Sequence, residues 1–186
     1  MFNHFRLLAP LYDRAIGPPD PSRLVEAMDL PVAGRLLDVG GGTGRVASLL
    51  AACVGQVVIA DETAAMLHEA YNKGLCCPIV SHAERLPFGA DSFERVLVVD
   101  ALHHFAHQRR ALQELARVLR PGGRLVVEEP DLNRVSVKFV ALAEKLALMR
   151  SHFLYPHEIG RELAALGLRT HIRTEGHTAW VVAEKG

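Results

Sequence analysis

The stretch LLDVGGGTGRVA at residues 36–47 decides the fold of this chain. It consists of a short apolar run, an acid at Asp38, a turn dense in glycine and the start of a helical stretch. Glycine permits positive φ and lets a ligand come close to the backbone. The helix that follows directs its first N–H groups at the same place, which suits a carboxylate or a phosphate. The stretch therefore predicts a strand, a nucleotide-binding turn and a helix.

Apolar runs alternate with amphipathic stretches on both sides of this turn. The predicted strands are residues 35–39, 57–60, 77–80, 95–99, 124–128, 168–173 and 178–183. The predicted helices are 22–28, 43–53, 64–72, 106–119, 134–150 and 156–166, and the fourth is ended by Pro121-Gly122-Gly123. Five alternations of strand and helix followed by a hairpin indicate a doubly wound, Rossmann-like α/β sheet. We expect a single domain over residues 1–186, with a helical preface at 1–34 and a helical segment on the substrate side at 134–166.

Composition excludes several functional classes. The chain has 186 residues, 49% of them apolar, and a formal net charge of zero, so no overall basic field attracts nucleic acid. No apolar run reaches the roughly 20 residues of a membrane span, and residues 1–6 lack the order of a signal peptide. Three cysteines, two of them the adjacent Cys76 and Cys77, favour a reducing, cytoplasmic setting over a disulfide framework. The sequence does not indicate an oligomeric state.

The ends of the predicted strands carry acids that can hold an adenosine ligand. In a doubly wound sheet the ligand lies at the carboxyl ends of the strands, beside the first strand. Asp61 ends the second strand, 21 positions after Gly40, where an acid can accept hydrogen bonds from both ribose hydroxyls. The loop 81–84 after the third strand is placed to border an adenine. A glycine turn and a ribose acid fit adenosine ligands in general.

The spacing within the turn separates two kinds of adenosine ligand. A dinucleotide fingerprint has a third small residue at position 45, where this chain has Arg45. An acid before the turn, Asp38, would repel a pyrophosphate but can hydrogen-bond to the ammonium of an amino acid. The turn therefore favours an adenosine that carries a zwitterion, which is S-adenosylmethionine.

Five blocks, in this order, resemble the class I S-adenosylmethionine-dependent methyltransferases, and most closely their type 11 group from ubiquinone and menaquinone biosynthesis. They are LLDVGGGTGRVA, VVIADETAAML, HAERLPFGADSFERV, LHHF and ELARVLRPGGRLVVEEP. The resemblance covers residues 30–130 strongly and the two ends weakly. It implies a seven-stranded sheet of order 3-2-1-4-5-7-6, with the last strand antiparallel. It also implies methyl transfer from S-adenosylmethionine to a small-molecule acceptor, with S-adenosylhomocysteine as the product.

The resemblance implies roles for individual residues of the cofactor site. Asp38 and the turn glycines Gly40, Gly41, Gly42 and Gly44 would surround the methionine end. Asp61 would bind the ribose, Glu62 and the backbone of Ala83 would lie against the adenine, and Asp100 would border the sulfonium. Tyr12 belongs to a Tyr-Asp pair that resembles the family's N-terminal one, and it has two interpretations: a residue that covers the cofactor, or one that packs a helix.

This chain departs from the family at two of these positions. His82 stands where the family usually has an acid that accepts from the adenine amino group, and Glu62 stands where an apolar residue is common. A neutral histidine can accept that hydrogen bond in one of its two tautomers.

Catalysis of methyl transfer depends mainly on positioning the acceptor's nucleophile in line with the methyl group, because the sulfonium already makes this methyl group a strong electrophile. A base is needed only for a weakly acidic acceptor such as a phenol. Near the strand ends, and in the late segment where the last helix begins, we find acceptor-pocket candidates but assign no catalytic residue. The candidates are His103, His104, Glu128, Tyr155 and His157, together with Glu129 as a further acid.

Other interpretations of these residues stay in view. His103, His104 and His107 could suggest a metal, but no carboxylate or cysteine stands at ligand spacing, so we predict no metal site. Cys76 and Cys77 are better explained as small apolar residues beside a strand than as soft-metal ligands. Two alternative functions remain: a cofactor-binding protein of the same fold without catalysis, and a nucleotide-dependent oxidoreductase, against which Arg45 argues.

Overall fold

The computed structural model describes residues 20–75, 77–131 and 153–186. Tyr12, Cys76 and the predicted helix at 134–150 lie outside these ranges. The helices are α1 Pro21–Met28, α2 Ala47–Leu50, α3 Ala64–Asn72, α4 Gln108–Val118 and α5 Pro156–Ala165, with 3-10 turns at Ala51–Cys53 and Leu102–His104. The strands are β1 Val32–Val39, β2 Val54–Asp61, β3 Pro78–Val80, β4 Phe93–Val99, β5 Leu119–Pro130, β6 Leu168–Glu175 and β7 Thr178–Lys185.

The strands form one sheet of order β3-β2-β1-β4-β5-β7-β6, which confirms the predicted fold. The first five strands pair in parallel, and β7 runs antiparallel to both β5 and β6. The predicted terminal hairpin is present, and it turns at Gly176. All five parallel strands therefore end at the same edge of the sheet.

Apolar side chains cover both faces of the sheet, because the central strands are apolar at successive positions. In β1, Leu37 faces the cluster formed with α4 and α5, whereas Leu36 faces the cluster formed with α1 and α2. Both side chains are fully buried. Asp38 follows in the same alternation, so its carboxylate lies on the α1 side of the sheet.

Two element boundaries differ from the sequence prediction. The expected helix at 43–53 is only the short α2, followed by the 3-10 turn and an earlier start of β2. The glycine turn continues to Val46, so α2 begins only at Ala47. Val46 is the N-cap residue of α2, and its side chain makes no capping hydrogen bond. The Pro-Gly-Gly segment at 121–123 was expected to separate helix from strand, but it lies within β5. The pairing of β4 with β5 shifts register there, from Phe93 opposite Leu119 to Arg95 opposite Arg124, so these residues form an irregularity in the strand.

Candidate cofactor site at the carboxyl ends of the sheet

Acids stand at the carboxyl ends of four adjacent strands. In sheet order they are Asp61 on β2, Asp38 on β1, Asp100 after β4 and Glu128 on β5. We call these four residues the acid row. Because the strands are parallel neighbours, the acid row runs along the edge where doubly wound proteins bind ligands.

The glycine turn connects Asp38 to this edge. Its backbone is tied to the next strand by Gly40, whose N–H donates to the Ala60 carbonyl at 2.7 Å. A Cβ at Gly41 would lie 2.6 Å from Asp38 Oδ2, so the absence of a side chain makes room for that carboxylate. Gly42 has φ +53°, and the nearest atom to a Cβ built there is Asp61 Oδ2 at 3.9 Å. A ligand can therefore come closest to the backbone at Gly42.

Asp38 is a buried carboxylate that lacks a full set of partners. It is 1% exposed, and its Oδ2 has no hydrogen-bond partner among the residues that the structure describes. Burial raises the pKa of Asp38 from 3.8 to about 7, and the negative charge of Asp61 adds to this, while Arg45 opposes it. A buried, unsatisfied acid is costly to the fold and marks a place where a cationic group can bind.

Asp61 is held in place by backbone donors on both of its oxygens. Oδ2 accepts from the Gly42 N–H at 3.0 Å, and Oδ1 accepts from the Thr63 N–H at 2.7 Å. Burial raises the pKa of Asp61, although these two hydrogen bonds act in the opposite direction. Thr63 is the N-cap residue of α3, but its side chain does not cap the helix. The Thr63 side chain also hydrogen-bonds to Asp61. A carboxylate has about four acceptor positions, so capacity remains for a further donor such as a ribose hydroxyl.

Glu62 and His82, the two departures from the family pattern, contact each other. His82 Nδ1 lies 3.2 Å from Glu62 Oε2, and both side chains are exposed, by 74% and 60%. Ala83 is buried directly after His82. The Oγ of Ser81 is buried and has no hydrogen-bond partner within the described residues. The loops after β2 and β3 therefore present a polar pair and an unsatisfied hydroxyl beside Asp61.

At the other end of the acid row, Asp100 and Glu128 lie on neighbouring strand ends. The Asp100 N–H donates to the Glu128 carbonyl at 2.9 Å, and Asp100 has φ +51°, a left-handed conformation that aspartate tolerates better than most residues. Glu128 Oε2 is buried without a partner among the described residues. Burial, followed by the charge of Asp100, raises the pKa of Glu128 to about 7, and Arg45 opposes this shift. Arg45 thus acts on both Asp38 and Glu128.

Glu129 has a structural position that the sequence did not reveal. Its Oε1 accepts from the backbone N–H groups of Ala101 and Leu102 at 3.0 and 2.7 Å, and its Oε2 lies 2.6 Å from His103 Nδ1. Glu129 thereby holds the turn after β4 against the end of β5. The available signal was the pair of adjacent acids at a buried strand end, but only the tertiary structure shows which acid has partners.

The two predicted pocket histidines differ in their surroundings. His103 is 3% exposed and is stacked on Phe153, with ring centroids 4.3 Å apart. His104 packs against it at 4.0 Å, and burial together with the charge of His103 lowers the pKa of His104 to about 3. His104 is therefore neutral at physiological pH, and His103 is engaged by Glu129.

Histidines at this strand end do not share a helix face. His103 lies in the 3-10 turn, whereas His107 is the residue before α4. Among residues 20–75, 77–131 and 153–186 no group of three histidine, cysteine, aspartate or glutamate side chains is arranged so that it could hold a metal ion.

In the late segment, Phe153 stacks on His103, and the pocket role of Tyr155 and His157 stays a prediction. Tyr155 and His157 stack on each other at 5.5 Å where α5 begins, and His157 is exposed. Glu158 Oε2 accepts from the Tyr155 N–H at 2.8 Å, which fixes the start of α5. Phe153 on His103 is one contact that connects this segment to the strand ends, and Leu154 packs against the core cluster that includes Ala101 and Leu102.

A cavity of about 380 Å³ lies elsewhere, over β5, β7 and β6 beside α1. Trp180 and Val182 contribute to its apolar lining. Its four arginines are each paired with a glutamate: Arg23 with Glu175, Arg124 and Arg169 with Glu184, and Arg173 with Glu26. Exposed ion pairs of this kind form a solvated surface, and the acid row remains the candidate site.

A sheet of this order, with an acid near the end of its first strand and a glycine turn after it, is typical of the class I S-adenosylmethionine-dependent methyltransferases. The family model described as a methyltransferase domain matches residues 37–127. The ubiquinone/menaquinone biosynthesis C-methyltransferase UbiE of Pseudomonas aeruginosa (strain LESB58) is 30% identical over 171 residues, which cover 85% of this chain and 67% of that protein. The chain therefore belongs to the type 11 group of these methyltransferases, and S-adenosylmethionine is its cofactor.

Further similarities agree with this assignment. The UbiE protein of Bordetella parapertussis is 41% identical over 103 residues, which cover 51% of this chain and 40% of that protein. The structure of YcgJ from Bacillus subtilis superposes with a TM-score of 0.74 at 26% identity, covering 83% of this chain and 70% of that one. A methyltransferase from Aquifex aeolicus has a TM-score of 0.74 at 19% identity, with 98% of each chain covered, which shows the fold alone. No helix in the described residues has the length and apolar character to cross a bilayer.

Proposed function

We propose that this methyltransferase acts on a small-molecule acceptor and binds its cofactor along the acid row. The observation that carries the proposal is Asp38, whose buried carboxylate lacks a partner on one oxygen at the start of the glycine turn. A carboxylate there opposes a pyrophosphate and suits an ammonium group. S-adenosylmethionine supplies such a group at its methionine end.

The remaining cofactor contacts follow from the order of the strands. Asp61, held by two backbone donors, would accept from the ribose hydroxyls. Glu62, His82 and Ala83 would border the adenine, and Asp100 would lie toward the sulfonium. Gly40, Gly41, Gly42 and Gly44 form the turn that lets the cofactor approach the backbone.

The cofactor supplies an electrophilic methyl group, and the protein's own residues would orient the acceptor and receive its proton. Glu128 has the surroundings of a proton acceptor, because its carboxylate is buried at the strand end beyond Asp100 and its pKa is about 7. Neutral His104 is a second group that can accept a hydrogen bond from an acceptor hydroxyl or amine. His103 would hold the side of the acceptor pocket formed by His104 in place through its contacts with Glu129 and Phe153.

A small-molecule acceptor agrees with the net charge of zero, which provides no field for a nucleic acid. The UbiE relatives are named for ubiquinone and menaquinone biosynthesis, so phenols and related aromatic precursors are the first acceptors to test. Residues 1–20 and 130–158 are where we expect acceptor selection to lie. The cytoplasmic location remains a prediction from cysteine usage.

Isothermal titration calorimetry with S-adenosylhomocysteine tests the cofactor assignment. We expect binding by the wild-type protein and a loss of at least tenfold in affinity for Asp61→Ala, since two ribose hydroxyls lose their acceptor. NAD is the control ligand. Binding of NAD without S-adenosylhomocysteine would overturn the proposal in favour of an oxidoreductase.

An acceptor screen then separates enzyme from binding protein. Phenols, amines and thiols are incubated with methyl-labelled S-adenosylmethionine, and S-adenosylhomocysteine release is measured. Turnover that is lost in Asp61→Ala supports the proposal. Tight cofactor binding without turnover on any acceptor class would support the non-catalytic alternative.

A further inference from the structure

The contact between Glu62 and His82 joins two different strand ends. Glu62 directly follows β2, and His82 lies two residues after β3. The two strands are paired with Asp61 opposite Val80, and the Ser81 N–H donates to the Asp61 carbonyl at 3.0 Å. The 3.2 Å contact between His82 Nδ1 and Glu62 Oε2 therefore bridges the space beside Asp61 on the β3 side.

This space is where the base of an adenosine bound to Asp61 must lie. The glycine turn occupies the β1 side of Asp61, where Gly42 donates to it, so the methionine end extends in that direction. The base extends the other way, toward the loops that carry Glu62 and His82. Ser81 Oγ, buried without a partner among the described residues, is an independent sign that a polar ligand atom completes this loop.

The contact also determines which nitrogen of His82 is free to accept a hydrogen bond. An ionised glutamate only accepts hydrogen bonds, so Nδ1 carries a proton and donates it to Glu62. In a neutral imidazole the other nitrogen, Nε2, then has a lone pair and no hydrogen. The 6-amino group of adenine is a donor, whereas hypoxanthine has an oxygen acceptor at the same position.

We propose that Glu62 fixes His82 in the tautomer whose Nε2 accepts from the 6-amino group, so that the pair selects adenine over hypoxanthine. This inference rests on the proposed placement of the cofactor along the acid row. The pair thus replaces a single acid by a histidine with a carboxylate behind it. Without Glu62, His82 could adopt its other tautomer and donate to an oxygen at the 6-position, and the selection would be lost.

Binding measurements with two ligands test the proposal without any need for the acceptor. S-adenosylhomocysteine and S-inosylhomocysteine differ only in the base, and their dissociation constants are measured by calorimetry for wild type, His82→Ala, Glu62→Leu and His82→Asp. His171→Ala, at an exposed histidine on β6, is the matched control. Both members of the pair are largely exposed, so we expect the variants to fold, and circular dichroism checks this.

We expect wild type and His171→Ala to prefer the adenine ligand by about tenfold, the value of one matched hydrogen bond against one mismatch. His82→Ala and Glu62→Leu should reduce this preference to about twofold or less, and His82→Asp should retain it. An unchanged preference in His82→Ala would refute the role of His82. An unchanged preference in Glu62→Leu would refute the proposal that Glu62 fixes the tautomer of His82. If wild type binds neither ligand, the proposed cofactor site itself is wrong.

Discussion

Replacing Asp38 by asparagine should stabilise the unliganded protein while it weakens cofactor binding. Burial raises the pKa of Asp38 from 3.8 to about 7. The folded protein therefore holds a proton between pH 4 and pH 7 that the unfolded chain releases, and stability falls as the pH rises through this window. With 1.36 kcal/mol for each unit of separation, ionised Asp38 costs the folded state about 4 kcal/mol above pH 7.

Urea denaturation of wild type and Asp38→Asn at pH 5 and pH 8 measures this cost. Because asparagine does not ionise, we expect the free energy of unfolding of the variant to exceed that of wild type by about 3 kcal/mol more at pH 8 than at pH 5. Asp91→Asn is the matched control: Asp91 is exposed, forms an ion pair with Lys185 and has φ +55°, which asparagine also adopts. Its difference from wild type should change little with pH.

The same pair of variants tests the binding role of Asp38. Asp38→Asn should bind S-adenosylhomocysteine at least tenfold more weakly, since the ammonium loses its counter-charge, while Asp91→Asn should bind like wild type. A stability difference that does not change between pH 5 and pH 8 would refute the raised pKa. Full affinity in Asp38→Asn would refute the ammonium contact.

Three further predictions concern the strand ends and the core. Glu129→Ala should destabilise the protein by about 3 kcal/mol in urea denaturation, because two buried backbone N–H groups lose their acceptor. Glu129→Gln should destabilise it less, and equal effects of the two variants would contradict this account. Arg95→Met should lower the free energy of unfolding by about 2–4 kcal/mol in the same assay, because the buried guanidinium donates to the carbonyls of Met28 and Asp29 at the end of α1. An unchanged stability would show that this contact does not stabilise the fold. Carbon-13 carboxyl NMR should show a glutamate that titrates near pH 7 and is absent in Glu128→Gln; Asp100→Asn should lower its pKa, because the charge of Asp100 contributes to the shift.

The sheet was predictable because its order depends on patterns that are visible in a single sequence. Apolar runs such as 57–60 and 95–99 indicate buried parallel strands, and the glycine turn identifies the first of them. The boundaries were less accurate where backbone geometry overrides propensity. The turn after β1 uses the residues up to Val46, and the register shift in β5 absorbs a Pro-Gly-Gly segment that usually ends a helix.

The position of the strand-end acids at one edge was predictable, but their contacts were not. Asp38, Asp61 and Asp100 each follow an apolar run, so their meeting at one edge follows from parallel strands. The contacts of Glu129 and of the Glu62–His82 pair join residues 20 or more positions apart, and no local pattern indicates them. Glu128 and Glu129 lie on opposite faces of β5. Only the tertiary structure shows that Glu129 has hydrogen-bond partners, whereas Oε2 of Glu128 has none among the described residues.

The acid row also has a consequence for the direction of the reaction cycle. S-adenosylmethionine carries a positive sulfur, and the product sulfur is neutral. In the proposed site, methyl transfer would therefore remove one positive charge from the edge where Asp38, Asp100 and Glu128 lie. Carboxylates in a partly buried site attract the charged ligand more strongly than the neutral one. The acid row would therefore bind S-adenosylmethionine more tightly than S-adenosylhomocysteine. The same charges would favour both binding of the methyl donor and release of the product.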